Sequence, residues 1–299
     1  MTSTWELSND AFRRVLVFDP GVGLYTERFE NLASGADLLA RARPAGRWLP
    51  EFDFRVDGER VTSLEPAWDL IERATPWPPA EFDARCVLWL RHRARGLEVA
   101  VGYRCDGAGT SKRVWIQNTG AQPITLSHLA METLPAEIGA PGELLLDAHY
   151  GALPRETFIT GRVDDCAIVL RNPRTGDCVI ALNEAPGHLK RTETGAWFWE
   201  GQVRIMYDTD LFPLEMRIPP GGGWGSAAAC ILLAGRDGLA DPRWVVPAAT
   251  TAGLRRPLNP PAWHYNTWDP FGTGITADTV EQLIPLAARM GFEIFTIDD

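Results

Sequence analysis

The sequence predicts a mainly β protein with one α/β unit at its C-terminal end, and three observations carry that reading. Short strand patterns separated by turn residues recur from the start to about Val245; apolar periodicity of 3.6 residues is almost absent there; and a strand, a helix and a strand then follow one another in about 37 residues. The expected division is a β-sandwich of two large sheets over residues 1–245, a linker over 246–261 and a βαβ unit over 262–299.

In chain order, Glu51 to Val56 runs into Asp57-Gly58 and then Arg60 to Thr62, a strand, a tight-turn dipeptide and a second strand. Leu97, Val99, Val101 and Tyr103 alternate with Glu98, Ala100, Gly102 and Arg104, the period of a strand with one buried face. Val114–Gln117 and Ile124–Ser127 flank Asn118-Thr119-Gly120 and predict another hairpin-like pair. Further strands are expected at Cys166–Leu170, Cys178–Leu182, Trp197–Trp199, Val203–Tyr207 and Ala229–Leu233. Pro219-Pro220-Gly221-Gly222-Gly223 reads as a loop before Trp224; without Lys-Ser/Thr and a helix start it is no phosphate cradle.

The class of partner is narrowed by composition. Lys and Arg number 29 against 39 Asp and Glu, a formal charge of −10 that disfavours nucleic acid and anionic lipid. The densest basic cluster, Arg91-His92-Arg93 with Arg95, falls in a strand pattern and reads as a solvated face. No apolar run reaches the roughly 20 residues of a membrane span, and Met1–Leu7 carries neither the basic nor the apolar region of a secretory signal. A cytoplasmic protein with no nucleic-acid and no membrane partner is therefore expected. Cys86, Cys105, Cys166, Cys178 and Cys230 are odd in number and far apart, without a CxxC pair or a His at ligand spacing, so reduced thiols and no metal site are expected. Twelve tryptophans fill core or offer indole faces on which sugars can stack.

After the linker the pattern changes class. Trp263–Trp268 is an aromatic strand candidate, and Val280, Leu283, Ile284, Ala287 and Ala288 mark one face of a helix with Thr276 as N-cap and Gly291 as its stop. Pro285 is expected to kink that helix. Phe292–Ile297 is a nearly continuous apolar run, the signature of a strand buried on both faces of a parallel sheet, and it ends in Asp298-Asp299. One βαβ unit cannot close a barrel or a doubly wound sheet, so the chain is expected to be a fragment of a longer enzyme.

Pro261-Ala262-Trp263-His264-Tyr265-Asn266-Thr267-Trp268, then a helix, then Gly291 to Asp299 resembles the barrel entry of glycoside hydrolase family 36, the α-galactosidases or melibiases. The resemblance covers residues 257 to 299 by motif and residues 1 to 245 by architecture only. It implies an N-terminal β-supersandwich followed by the first βαβ unit of a (β/α)8 TIM barrel that is cut short. In the family the first barrel strand holds an Asn-x-Trp element and the second ends in Asp-Asp. Asp298 and Asp299 then match the acidic pair that binds hydroxyls of a terminal galactose, and Trp268 matches the first-strand tryptophan near that sugar. Asn266 and Trp263 are weaker candidates, and His264 is expected to be structural.

The resemblance further implies a retaining O-glycosyl hydrolase of terminal α-galactosides that needs no metal or organic cofactor, with a sandwich that packs on the barrel and contributes to homo-oligomer contacts. Both catalytic aspartates of the family come from later barrel strands, so no catalytic residue is assigned in this chain and the 299 residues are expected to be inactive alone. A raffinose-type transglycosidase is a neighbouring reading. The alternative from another class is a non-catalytic β-sandwich that binds carbohydrate or a partner subunit. With no barrel partner, the apolar helix face at 280–288 and the strand at 292–297 are expected to lie open.

Overall fold

The Asp57-Gly58 dipeptide does what its chemistry predicts. In the computed structural model, which describes residues 1–73, 84–106, 109–135, 137–140, 143–150, 153–158, 164–165, 167–183, 191–194, 202–207, 213–235 and 262–298, strand Asp53–Val56 pairs with Glu59–Thr62 across these two residues. Both occupy the left-handed region, Asp57 at φ 50° and Gly58 at φ 85°, which is what a two-residue hairpin turn requires. Phe54, Val56 and Val61 turn inward and are buried, while Arg55, Glu59 and Arg60 face water.

The chain divides into two compact units, Met1–Leu254 and Arg255–Asp299. Among the described residues, the first unit holds three antiparallel sheets rather than the two expected. Ser3–Ser8, Phe12–Asp19, Gly23–Asn31 and Ala36–Asp37 form a four-stranded meander. A ten-stranded sheet runs in the order Leu153–Phe158, Leu145–Tyr150, Ala167–Arg171, Cys178–Asn183, Ala229–Ala234, Gly109–Asn118, Leu97–Asp106, Cys86–His92, Trp68–Ile71, with Gly223–Gly225 also paired to Gly109–Asn118. A seven-stranded sheet runs Asp164–Asp165, Arg191–Thr194, Gln202–Tyr207, Ile124–Pro135, Asp53–Val56, Glu59–Thr62, with Glu215–Ile218 also on Ile124–Pro135.

The hairpin expected between 114–117 and 124–127 does not form, because the two strands belong to different sheets. Asn118 explains the crossing: its Nδ2 donates to the carbonyls of Gln122 (2.8 Å) and Ile218 (3.1 Å), and its Oδ1 accepts from Gly120 N (2.9 Å). The side chain ties the loop to a strand of the other sheet, so the chain passes over the sandwich edge instead of folding back.

One core joins the three sheets. Phe12 and Phe29 from the four-stranded sheet, Val99 and Ile116 from the ten-stranded sheet, and Leu126 and Ile205 from the seven-stranded sheet are all buried in it. Trp89, Ala100, Ile180 and Leu232 belong to a second cluster on the other face of the ten-stranded sheet. Cys178–Asn183 and Ala229–Ala234 are consequently buried at every position, which is why they read as continuous apolar runs instead of alternating ones. The basic cluster is neutralised at the surface: Arg91 pairs with Glu98 (2.8 Å), Arg93 with Asp69 (3.3 Å) and Arg95 with Glu59 (2.6 Å). Cys105, Cys178 and Cys230 are buried thiols and Cys86 is half-buried. Cys166, the strand expected at Trp197–Trp199 and the linker 246–261 lie outside the described residues. No helix among the described residues is long and apolar enough to cross a membrane.

In the second unit, His264–Asn266 pairs in parallel with Ile294–Thr296. Between them lie a one-turn helix α1 (Trp268–Phe271) and a longer helix α2 (Ala277–Arg289). Thr276 is the N-cap of α2, its hydroxyl accepting from Thr279 N at 3.3 Å, and Gly291 at φ 89° follows its end. Asp278 in the first turn and Arg289 in the last complement the helix dipole. Pro285 lies inside α2, where its ring nitrogen has no proton to donate to the preceding turn.

Two expectations are corrected here. Trp268 is not on the strand but opens α1, because the Asn266 side chain takes its N–H and turns the chain. The run Phe292–Ile297 is not buried on both faces: only Ile294–Thr296 is strand, and Ile294 and Ile297 are 47% and 60% exposed. Among the described residues this sheet has two strands, too few to cover either side. Helix α2 likewise buries Ala287 alone and leaves Ile284 open.

Candidate functional site

The site is built at the C-terminal ends of the two parallel strands. Trp263 O accepts from Glu293 N (2.7 Å) and Ile294 N (3.1 Å), and Thr267 N donates to Thr296 O (3.2 Å), which fixes the register of Asn266 beside Thr296. On one face, Tyr265 stacks on Phe295 at 5.2 Å and meets Phe292 edge-on at 5.5 Å. His264 Nε2 bonds Thr296 Oγ1, a structural contact of the kind expected for it.

Past the strand ends, three polar residues lock together. Asn266 Oδ1 accepts from Trp268 N (2.7 Å), which leaves its Nδ2 to donate to Asp298 Oδ2 (2.8 Å). Thr267, fully buried, accepts from Asp298 N at its hydroxyl (3.0 Å). The amide orientation is thereby settled by two bonds of opposite sense. Asp298 is thus held half-buried by Asn266 and Thr267, residues more than 30 positions earlier. Trp268 follows directly, with its indole 45% exposed, while Asp299 lies outside the described residues. Trp263 is 68% exposed and meets Phe292 at 6.2 Å with the two rings steeply inclined. A carboxylate fixed by an amide is equipped to accept hydroxyl hydrogen bonds, and an accessible indole to pack an apolar ring face.

A concavity lies on the sandwich unit, and sequence reasoning missed it. A groove of about 350 Å³ opens over the outer face of the seven-stranded sheet, lined by Trp48, Asp53, Arg60, His128, Thr133 and Arg204 among others. Trp48 is stacked on Tyr25 at 4.4 Å, so one indole face is backed. Arg60 grips Asp53 through both Nε (3.1 Å) and Nη2 (2.7 Å). His128 sits at φ 51° where the pairing with Asp53–Val56 slips, and Arg204 Nε is buried without a hydrogen-bond partner. Residues from 48 to 204 meet only through sheet pairing, so no local motif announces them. Among the described residues no cluster of His, Cys, Asp and Glu could hold a metal ion.

No family model matches the sequence, and no curated protein matches it. Solved structures do match in fold. The α-galactosidase from Lactobacillus brevis superposes with a TM-score of 0.59 at 16% identity, covering 99% of this chain and 48% of that one. The GH36 α-galactosidase AgaA from Geobacillus stearothermophilus gives 0.63 at 12% identity, covering 99% and 50%, and a doubly substituted variant of it has been solved in complex with raffinose. AgaB from the same organism gives 0.60 at 13%, covering 99% and 49%. This chain spans about half the length of each of these proteins. In fold, it is a mainly β chain resembling the N-terminal region of the glycoside hydrolase family 36 α-galactosidases.

Proposed function

We propose that this chain is the first half of an α-galactosidase-like, retaining O-glycosyl hydrolase of terminal α-galactosides, in which Asp298, Asp299 and Trp268 hold the terminal sugar. Residues 1–245 form its supersandwich and 262–299 the start of its (β/α)8 barrel. The observation that carries the reading is the parallel pairing of His264–Asn266 with Ile294–Thr296 through α2, which presents Asp298 at strand ends, where barrel enzymes build their sites. The fold likeness to α-galactosidases supports it.

These residues bind and do not cut. Retention needs two carboxyl groups about 5–5.5 Å apart across the anomeric carbon. Adjacent aspartates at one strand end cannot straddle a sugar, and the family resemblance implies that the nucleophile and the acid/base come from later barrel strands, outside residues 1–299, so the chain is expected to be inactive alone. The test is to extend the chain with the residues encoded in frame after Asp299. The extended protein is expected to hydrolyse an aryl α-galactoside, with kcat/KM falling at least about tenfold in Asp298→Asn, the loss of one charged hydrogen bond. An in-frame stop, an inactive extended chain, or hydrolysis by the 299 residues alone refutes the reading.

A second reading, a carbohydrate-binding module, is favoured by the groove beside Trp48. It predicts that the 299-residue chain binds an oligosaccharide, that Trp48→Ala abolishes binding, and that Asp298→Asn leaves it unchanged. Binding lost in Asp298→Asn and kept in Trp48→Ala excludes this reading.

A further inference from the structure

The densest set of buried charges among the described residues of the sandwich has no part in the site at Asp298. Arg14, Glu51, Lys112 and Glu132 are all at most 2% exposed, and they come from the four-stranded sheet, the connection 38–52, the ten-stranded sheet and the seven-stranded sheet. Their charges sum to zero. Arg14 reaches Glu132 through both Nη atoms (2.9 and 3.1 Å), Lys112 Nζ lies 3.1 Å from Glu132 Oε1, and Glu51 Oε2 accepts from Arg14 Nη2 (2.9 Å), Lys112 Nζ (2.9 Å) and Tyr103 OH (2.5 Å). Thr26 donates to the other Glu51 oxygen. The Glu51 backbone is tied as well, its N–H donating to Ser63 Oγ at 2.7 Å while that hydroxyl donates to Leu24 O at 2.7 Å.

Such a cluster is a poor source of net stability, since desolvation offsets most of the attraction between its members. Its geometry instead constrains one stretch of chain. Trp48, Pro50 and Asp53 are within three residues of Glu51; Trp48 is stacked on Tyr25, Pro50 bridges to Tyr25, and Trp48 and Asp53 line the groove. We propose that the charge-balanced quartet of Arg14, Glu51, Lys112 and Glu132 is a positioning device that seats the connection 48–53 between the three sheets and so sets the wall of the groove on the sandwich face. The inference is independent of what the groove binds.

The test uses the full chain labelled with 5-fluorotryptophan, with the Trp48 resonance assigned through Trp48→Phe and Trp224, packed on Tyr207, as internal control. Glu51→Gln keeps size and an acceptor but leaves one uncompensated positive charge. It is expected to lower the folded-to-unfolded ratio at least about 100-fold and to shift Trp48 by more than a linewidth, with Trp224 unmoved. Glu51→Gln combined with Lys112→Met returns the cluster to neutrality and is expected to regain stability and the native Trp48 resonance. A Trp48 resonance unmoved in folded Glu51→Gln overturns the proposal. If that single variant fails to fold, the double variant decides: native Trp48 supports the proposal, and a displaced Trp48 or an unfolded protein overturns it.

Discussion

Trp68 offers a quantitative test of how the hairpin that borders the groove is strapped to its neighbour sheet. The indole is 1% exposed, meets Phe52 edge-on at 5.5 Å and His92 edge-on at 4.8 Å, and donates from Nε1 to Thr62 O at 2.7 Å. Trp68 belongs to the ten-stranded sheet and Thr62 to the seven-stranded one, so this bond crosses between sheets. Trp68→Phe keeps most of the ring packing and removes the donor. Loss of a buried hydrogen bond costs about 1–3 kcal/mol, and the smaller ring leaves a gap worth about a further 1 kcal/mol, so a total of about 2–4 kcal/mol is expected. Trp68→Ala should cost about 4–8 kcal/mol, which adds the bond to a full aromatic deletion. Urea unfolding followed by far-ultraviolet circular dichroism reads both, with the midpoint falling at constant slope. A loss below about 0.5 kcal/mol in Trp68→Phe would show that the cross-sheet bond holds nothing, and the strap would have to be sought elsewhere.

Gly23 lies at φ 111°, and a Cβ there would stand 2.0 Å from Ser63 O; Gly23→Ala should lose at least about 2–3 kcal/mol in the same urea assay. Burial, with Cys105 nearby, pushes the Cys86 thiol up to about 11, so at pH 8 only about one part in a thousand is thiolate. Cys86 should therefore react with a disulfide reagent orders of magnitude more slowly than a model thiol, approaching the model rate only above pH 11. Burial opposes ionisation of Glu51, but Lys112 and Arg14, with hydrogen bonds from Thr26 and Tyr103, outweigh it and hold the carboxyl well below the usual range. Its contribution is present above pH 4.5 and is lost as pH falls, so thermal midpoints of the wild type should drop in acid more steeply than those of Glu51→Gln. Asn266→Asp would place two carboxylates where Asn266 Nδ2 and Asp298 Oδ2 now lie 2.8 Å apart, raising the pKa of one. Relative to wild type, that variant should be most stable near pH 4 and lose stability as pH rises to 7, as read by thermal melts at both values.

Local chemistry was the legible part of this sequence. Asp57-Gly58 dictates a hairpin by its backbone freedom, and Thr276 and Gly291 bracket a helix by capping. The alternation from Leu97 to Arg104 gives the strand but not its burial: Glu98, Ala100 and Gly102, on the face expected to be wetter, are buried just as Val99 and Val101 are, because that face carries the second apolar cluster. What could not be read is set by pairing at long range. Cys178–Asn183 lies beside Ala229–Ala234, some 50 residues away, and nothing within either segment encodes that choice. The same holds for the number of sheets and for the groove, whose Asp53 and Arg204 meet through Ile124–Pro135. Asn266 was a weak candidate in the sequence because its bond to Asp298 spans 32 positions; the bond makes it the residue that aims the carboxylate.

The two units satisfy their sequences to different degrees, and the difference bears on how Asp298 can work. In the sandwich even Lys112 and Arg14 are buried and paired. In the C-terminal unit the polar contacts at the strand ends are complete, with Asn266 using both ends of its amide and Thr267 fully buried. The apolar frame beneath them is not: Ile284, Ile294 and Ile297 stay exposed, and among the described residues the sheet has two strands of three residues each, too small to be stable by itself. A few hydrogen bonds of about 1 kcal/mol each cannot outweigh the entropy of ordering such a unit. The orientation of Asp298, and with it any affinity for a sugar hydroxyl, therefore depends on burial of those isoleucines as much as on the bond from Asn266.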